Sequence, residues 1–201
     1  MTPQKSTVPA RSRLFPFLGF VWFVGALALG ASGWLLGLAP PRPQLLLVGL
    51  TVALVAAGFL VPSFRAWLAG VDVRSVIAIH LTRFVGVYFL VLYARGLLPF
   101  QFAVLGGWGD IVIAATALAW LVLTRDPMDH RALFGLWNLC GLADILFVVA
   151  MAARMAMADP ASMNPLRTLP LSLLPTFLIP LIIASHFLIF WRLYRAPDRD
   201  A

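Results

Sequence analysis

Apolar residues in this chain form long runs with few polar interruptions. Six runs approach the roughly 20 residues that an α-helix needs to cross a bilayer. Prolines follow each of the first five runs, where a helix would end. The runs occupy residues 17–38, 45–61, 73–93, 102–123, 133–153 and 171–193. The pattern therefore predicts an all-α membrane protein with about six transmembrane helices in one bundle.

Composition supports this class of protein and excludes others. Of the 201 residues, 62% are hydrophobic and 11% are charged, and the mean hydropathy is +0.94. A soluble core could not bury so much apolar surface, so the expected partner is the lipid bilayer. The formal net charge of +7 comes from basic residues in short caps between the runs, and we therefore expect no nucleic-acid binding. The single cysteine, Cys140, excludes an internal disulfide.

The basic residues also predict the orientation of the chain. Ten Lys and Arg residues fall on one side of the predicted helices and four on the other. Because short cytoplasmic loops are enriched in these residues, we expect both termini in the cytoplasm. The predicted organisation is a cytoplasmic tail at 1–16, a membrane domain at 17–195 and a second cytoplasmic tail at 196–201. The first run continues to Leu38, which is too long for a cleaved signal and predicts a retained helix.

Small residues on the first helix predict close packing. Gly19, Ala26, Gly30, Gly33 and Gly37 follow helical spacing and would form one stripe where another backbone can approach. The first two runs contain no ionisable side chain. We therefore expect these two helices to serve as scaffold, or to contact a second copy of the chain or another membrane protein through the glycine-rich first helix.

The last four runs contain the polar residues that lipid would not tolerate. They are His80, Arg83, Asp110, Asn138, Asp144 and His186. A charged side chain at this depth costs roughly 3 kcal/mol or more, so these residues should face the bundle interior and find partners. Counted along the helices, the two aspartates lie about 20 Å from the cytoplasmic ends and the other four about 10 Å, and a long arginine could join the two layers.

Helical phase supports one shared interior. His80 and Arg83 are three residues apart and fall on one face of their helix. On the last helix, Pro175 and Pro180 lack a backbone N–H. They would free the carbonyls of Leu171 and Thr176 for other partners.

Two functional interpretations use this polar set. In the first, Arg83, Asp110, Asn138 and Asp144 form a pathway or site for a small solute or for protons, with the two histidines as relays. In the second, His80 and His186 are the axial ligands of a haem b, and Arg83 meets a propionate. No catalytic serine or cysteine motif and no metalloprotease signature is found, so the question of enzymatic activity stays open.

Two further interpretations stay open. Met151, Met155 and Met157, with Met163, lie near the outer end of the fifth helix, and thioethers are suitable ligands for Cu(I). Methionine is also a common filler of apolar surfaces. In addition, the buried ions could serve packing alone, in a structural or assembly subunit without catalytic activity.

Four short motifs resemble those of a group of small bacterial multi-pass membrane proteins of unknown function. The motifs are Arg83-x-x-Gly86-x-x-Phe89, Gly107-Trp108-Gly109-Asp110, Trp137-Asn138-x-x-Gly141-x-x-Asp144, and the stretch from Pro175 to Pro180 ahead of His186. The resemblance covers roughly the last four helices. It implies a location in the bacterial inner membrane and a polar cluster that belongs together, and it implies no activity or ligand.

Overall fold

The computed structural model describes residues 11–195, and these residues are almost entirely helical, with no strand among them. Six helices are long and apolar enough to cross a membrane, which confirms the predicted all-α bundle. We call them spans 1 to 6. Their bounds are Arg13–Ala31, Arg42–Leu60, Val73–Ala94, Gln101–Leu123, Pro127–Ala158 and Leu174–Arg195. Of the predicted tails, 1–10 and 196–201 lie outside the described residues, and 11–16 are part of the first helix.

Successive spans run in opposite directions, as hydrogen bonds between their ends show. The start of span 3 bonds to the end of span 4, the start of span 5 to the end of span 6, and the end of span 6 to the connection between spans 2 and 3. The described chain therefore begins and ends on one side of the bundle. We call this the terminal side, and the opposite side the distal side. The distal side has the connections 32–41, 95–100 and 159–173, and the terminal side has 61–72 and 124–126.

The first helix ends earlier than the apolar run predicts. It ends at Ala31, because Gly33 adopts a left-handed conformation with φ of 70° and a separate short turn, Trp34–Gly37, follows. The predicted small-residue stripe therefore loses Gly33 and Gly37. A short helix at Pro62–Gly70 links spans 2 and 3 and was not predicted.

Spans 3 to 6 form the centre of the bundle, and spans 1 and 2 lie at its edge. Span 3 packs on span 4, span 5 on span 6, and span 2 on span 6. One apolar cluster, with Phe89 and Phe102, lies toward the distal side, and another, with Trp120 and Phe134, toward the terminal side. The polar residues lie between these two clusters.

Three spans depart from regular α-helix where they approach the polar residues. In span 3 the segment His80–Phe84 is a 3₁₀-helix, in which residues three apart are aligned one above the other. His80 and Arg83 therefore share one face, as predicted. Span 4 begins with a π-helical segment at Gln101–Gly106 and span 6 with another at Leu174–Leu178.

Both carbonyls that Pro175 and Pro180 would leave without their usual helical donor accept other hydrogen bonds in the structure. Pro180 has no N–H to offer to the carbonyl of Thr176, and Trp22 of span 1 donates its indole N–H to that oxygen at 2.9 Å. Trp22 also packs its ring against Phe177. The other carbonyl, that of Leu171, accepts the N–H of Leu174.

Candidate functional site

Arg83 lies at the centre of the polar set and is only 1% exposed. Its Nε donates to Asp110 Oδ1 at 2.7 Å, its Nη1 donates to the carbonyl oxygen of Gly141 at 2.9 Å, and its Nη2 donates to Asp144 Oδ2. Three of the five guanidinium N–H groups are thus used and two are left. The structure brings together Arg83, Asp110 and Asp144, which we call the triad. Whether the triad handles a solute or a proton stays a prediction.

Three glycines let the helices close around the triad. A Cβ atom at Gly86 would lie 2.3 Å from the carbonyl oxygen of Gly107, and one at Gly109 would lie 1.9 Å from Asp144 Oδ1. A Cβ at Gly141 would lie 2.7 Å from Cε1 of His186. These distances are far below van der Waals contact, so only glycine fits without movement of a neighbour. The sequence motifs contain these glycines, but their spacing did not reveal what each one touches.

The charges of the triad do not balance when every group is ionised. One guanidinium faces two carboxylates, and the Asp110 side chain is 4% exposed while that of Asp144 is 20% exposed. A net charge in the bundle interior is costly. The arrangement is therefore suited to hold one proton or one additional cation.

Asn138 and His186 form a reciprocal pair next to the triad. The side-chain amide of Asn138 donates to the backbone carbonyl of His186 at 3.1 Å, and the Asn138 carbonyl oxygen lies 2.8 Å from His186 Nδ1. This network assigns the proton of the neutral ring to Nδ1 and leaves Nε2 as an acceptor. His186 Nε2 is buried and has no hydrogen-bond partner.

His80 also has one buried ring nitrogen without a hydrogen-bond partner, and in this ring it is Nδ1 instead of Nε2. Ser185 Oγ donates to the carbonyl of Ile182 at 2.7 Å and so uses its only proton. His80 Nε2, 3.2 Å away, is therefore the donor to Ser185, and His80 Nδ1 is left as a buried acceptor without a partner. Sequence reasoning missed Ser185. Its only signal was its position next to His186 in an otherwise apolar helix.

The two histidines lie in direct contact, and this arrangement does not fit the haem interpretation. Their ring centroids are 4.5 Å apart with planes tilted by 52°, and Trp137 and His80 form a T-shaped pair with centroids 5.2 Å apart. A bis-histidine haem places the iron and its macrocycle between the two rings. Here the rings touch each other, so both would have to move apart to admit a porphyrin.

Three of the four methionines lie in one apolar cluster, and the fourth lies outside it. Met151 and Met155 pack with buried Met163 in the distal apolar cluster, whereas Met157 is 58% exposed and lies outside that cluster. In residues 11–195 no group of three or more His, Cys, Asp or Glu side chains could hold a metal ion. This apolar packing fits a filler role for Met151 and Met155, and whether their thioethers bind Cu(I) stays a prediction.

A cavity of about 250 Å³ borders the triad. It lies between spans 2 to 6, and Arg83 and Asp110 form part of its wall. Gln44 and Arg167 line it toward the distal side, and nearly all of the remaining wall is apolar. We call it the distal cavity.

A second cavity, of about 170 Å³, lies toward the terminal side, and we call it the terminal cavity. Spans 2, 3 and 6 and the short helix Pro62–Gly70 enclose it, and Ser185 forms part of its wall. The polar side chains thus lie in a row from Ser185 through His80, His186 and Arg83 to Asp110, with one cavity at each end.

The fold and the site define a polytopic helical bundle of membrane type with an ion-paired polar centre. The chain belongs to the family described as a domain of unknown function, DUF8737, whose family model matches residues 40–194. The match includes spans 2 to 6 and all of the polar residues described above, and it leaves span 1 outside. No curated protein and no solved structure matched the chain. The expected membership in a family of unknown function is confirmed.

Proposed function

We propose that this protein is a bacterial inner-membrane protein, with both termini in the cytoplasm, that binds a small solute within the membrane and couples binding to a proton on the triad. The observation that carries the proposal is that Arg83 and Asp110 form part of the wall of the distal cavity. A molecule in this cavity would lie directly against an ion pair that has one carboxylate in excess.

The coupling follows from the charge of the triad. With both aspartates ionised the triad carries one negative charge, and with one proton shared between them it is neutral. Water that enters the distal cavity would stabilise the charged form. A solute that displaces this water favours the neutral form, and the two events are then linked in both directions.

The histidines provide a route by which the proton could reach the triad. His80 Nδ1 and His186 Nε2 are acceptors without donors, and the two rings are in contact. Ser185, which accepts from His80, lines the terminal cavity. A proton that enters from that cavity would find two free acceptors before it reaches Arg83 and its carboxylates.

Infrared difference spectroscopy tests whether the triad holds a proton. For the protein in lipid nanodiscs at neutral pH, we expect a band of a protonated carboxylic acid that disappears in both Asp110→Asn and Asp144→Asn, because either substitution removes the carboxylate in excess. The control is Asp159→Asn, because Asp159 caps a surface turn on the distal side and lies outside the spans. Its spectrum should match that of the unchanged protein.

The absence of a protonated carboxylic acid would contradict the proton part of the proposal. If no protonated acid is present from neutral to mildly acidic pH and the three variants give one spectrum, the proton part of the proposal is wrong. The triad would then act in packing alone, as expected for a structural or assembly subunit.

A further inference from the structure

Arg167 at the distal end of the distal cavity has a positive charge without a carboxylate partner in the described part of the chain. Its Nε donates to the carbonyl of Leu35 at 3.1 Å, its Nη1 to Asn164 Oδ1 at 3.2 Å, and its Nη2 to the carbonyl of Leu38. Three of its five N–H groups are used. The remaining two, and the charge itself, are available to an anion at the end of the cavity.

Gln44 adds a second polar group to the same wall. Its side-chain oxygen is buried and has no donor. A buried amide oxygen without a partner costs roughly 1 to 3 kcal/mol, and a ligand that carries a hydroxyl would satisfy it. The distal end of the cavity is therefore suited to a head group with both an anionic oxygen and an O–H donor.

The rest of the cavity is suited to an apolar chain. Leu47, Phe89, Val148 and Leu174 line it between the distal end and the triad. An apolar cavity of about 150 Å³ holds a benzene molecule. A cavity of about 250 Å³ therefore has room for on the order of ten non-hydrogen atoms.

The cavity also opens toward the surrounding lipid. Val48 of span 2 and Leu146 of span 5 both line it, and they are 50% and 49% exposed. A molecule already dissolved in the bilayer could thus reach the cavity between these two spans without passing through water.

We propose that the distal cavity binds an anionic amphiphile from the membrane. Its anionic head group binds Arg167 and donates an O–H to Gln44, and one apolar chain extends down to Arg83 and Asp110. This inference rests on the proposed function, since it names the class of solute. It also gives the coupling a physical cause, because an apolar chain end against the triad replaces water and favours its neutral, protonated form.

The test uses decyl phosphate and decanol, which share one chain and differ in the charged head group. Binding to the whole protein in nanodiscs of zwitterionic lipid is measured by titration calorimetry and by thermal unfolding. We expect saturable binding of decyl phosphate, at least about tenfold tighter than that of decanol, because hydrogen bonds to charged groups are worth more than neutral ones. Inorganic phosphate alone should not stabilise the protein, since the chain supplies most of the binding.

Variants test separately how the head group and the apolar chain contribute to binding. Arg167→Gln should bind decyl phosphate about as weakly as decanol, and Arg167→Lys should keep most of the difference. Ala153→Leu fills the cavity from its wall and should abolish binding of both probes. The matched control is Ala143→Leu, an exposed position on the same span that does not line the cavity, and binding to it should be unchanged.

Several outcomes would overturn the inference. They are equal affinity for the two probes, unchanged binding in Arg167→Gln, or unchanged binding in Ala153→Leu. If Arg167→Gln does not fold, the comparison of the probes on the unchanged protein and on Ala153→Leu still decides. Normal decyl phosphate binding together with no infrared signal from the triad would leave the amphiphile site intact and remove the proton coupling.

Discussion

The contacts of Arg83 depend on residues that contribute no side chain at all. Asp144 can reach the guanidinium only because Gly109 leaves space for its carboxylate, and the Gly141 carbonyl can accept from Arg83 while His186 lies against the same residue. The specificity of this site is therefore set by the space around the charges as much as by the charges. This is the scale at which single substitutions are most informative.

A methyl group at Gly109 should disrupt the triad. The Cβ of Gly109→Ala would lie 1.9 Å from Asp144 Oδ1, so the carboxylate must move away from Arg83. We expect a loss of about 1 to 3 kcal/mol in the free energy of unfolding, the usual cost of overpacking. The measurement is thermal or chemical unfolding in one detergent.

The control for this prediction is Gly19→Ala. Gly19 is in the middle of the first helix and has no atom within 4 Å of its added Cβ. The substitution should leave stability unchanged or raise it by up to about 1 kcal/mol, because alanine favours helix over glycine. Equal effects of the two substitutions would show that the space around Asp144 is not tight.

At the scale of elements, span 6 is held by a bond that a proline makes available. Pro180 removes the N–H that would otherwise fill the Thr176 carbonyl, and Trp22 of span 1 donates to it instead. This bond connects span 1, which lies outside the region that the family model matches, to a span that lines the distal cavity.

A double-mutant cycle measures this bond. Trp22→Phe keeps an aromatic ring near Phe177 and removes the N–H, and it should cost about 0.5 to 1.5 kcal/mol of unfolding free energy. In Pro180→Ala the new backbone N–H can fill the Thr176 carbonyl, so there the cost of Trp22→Phe should fall toward zero. The same cost in both backgrounds would mean that the indole contributes by packing alone.

The elements show which parts of the structure were predictable from the sequence. The length of the apolar runs and the prolines between them were sufficient to predict six spans, because every helix that crosses a bilayer needs about the same length. The end of the first helix was not predictable, since residues 33–38 continue the apolar run and the departure from α-helix is set by the backbone conformation at Gly33. The 3₁₀ and π segments depend on tertiary contacts that no periodicity records.

The site was predictable in part for similar reasons. The cost of charge in lipid was sufficient to select the six polar residues, but depth alone could not show that His80 and His186 touch. Ser185 was hidden because a serine in an apolar helix often bonds only its own backbone. The distal cavity depends on how span 2 and span 5 are separated by their neighbours, which is a property of packing and not of any one stretch.

At the scale of the whole molecule, the distribution of charge predicts the orientation in the membrane. Ser63 on the terminal side and Ala161 on the distal side are outside the spans. In a Cys140→Ala background, Ser63→Cys should react with an impermeant thiol reagent only after the cells are lysed, and Ala161→Cys should react in intact cells with a permeable outer membrane. The reverse pattern would place the termini outside the cytoplasm.

Because the distal cavity opens to lipid between Val48 and Leu146, its occupancy depends on the concentration of the ligand in the bilayer. A ligand that arrives through the bilayer is present as a mole fraction of one leaflet, and its effective concentration there exceeds by far what the same number of molecules would give in water. Even a weak site is then largely filled whenever its ligand is a minor lipid component. Occupancy would follow the lipid composition of the cell, and extraction with detergent would dilute the occupant or replace it.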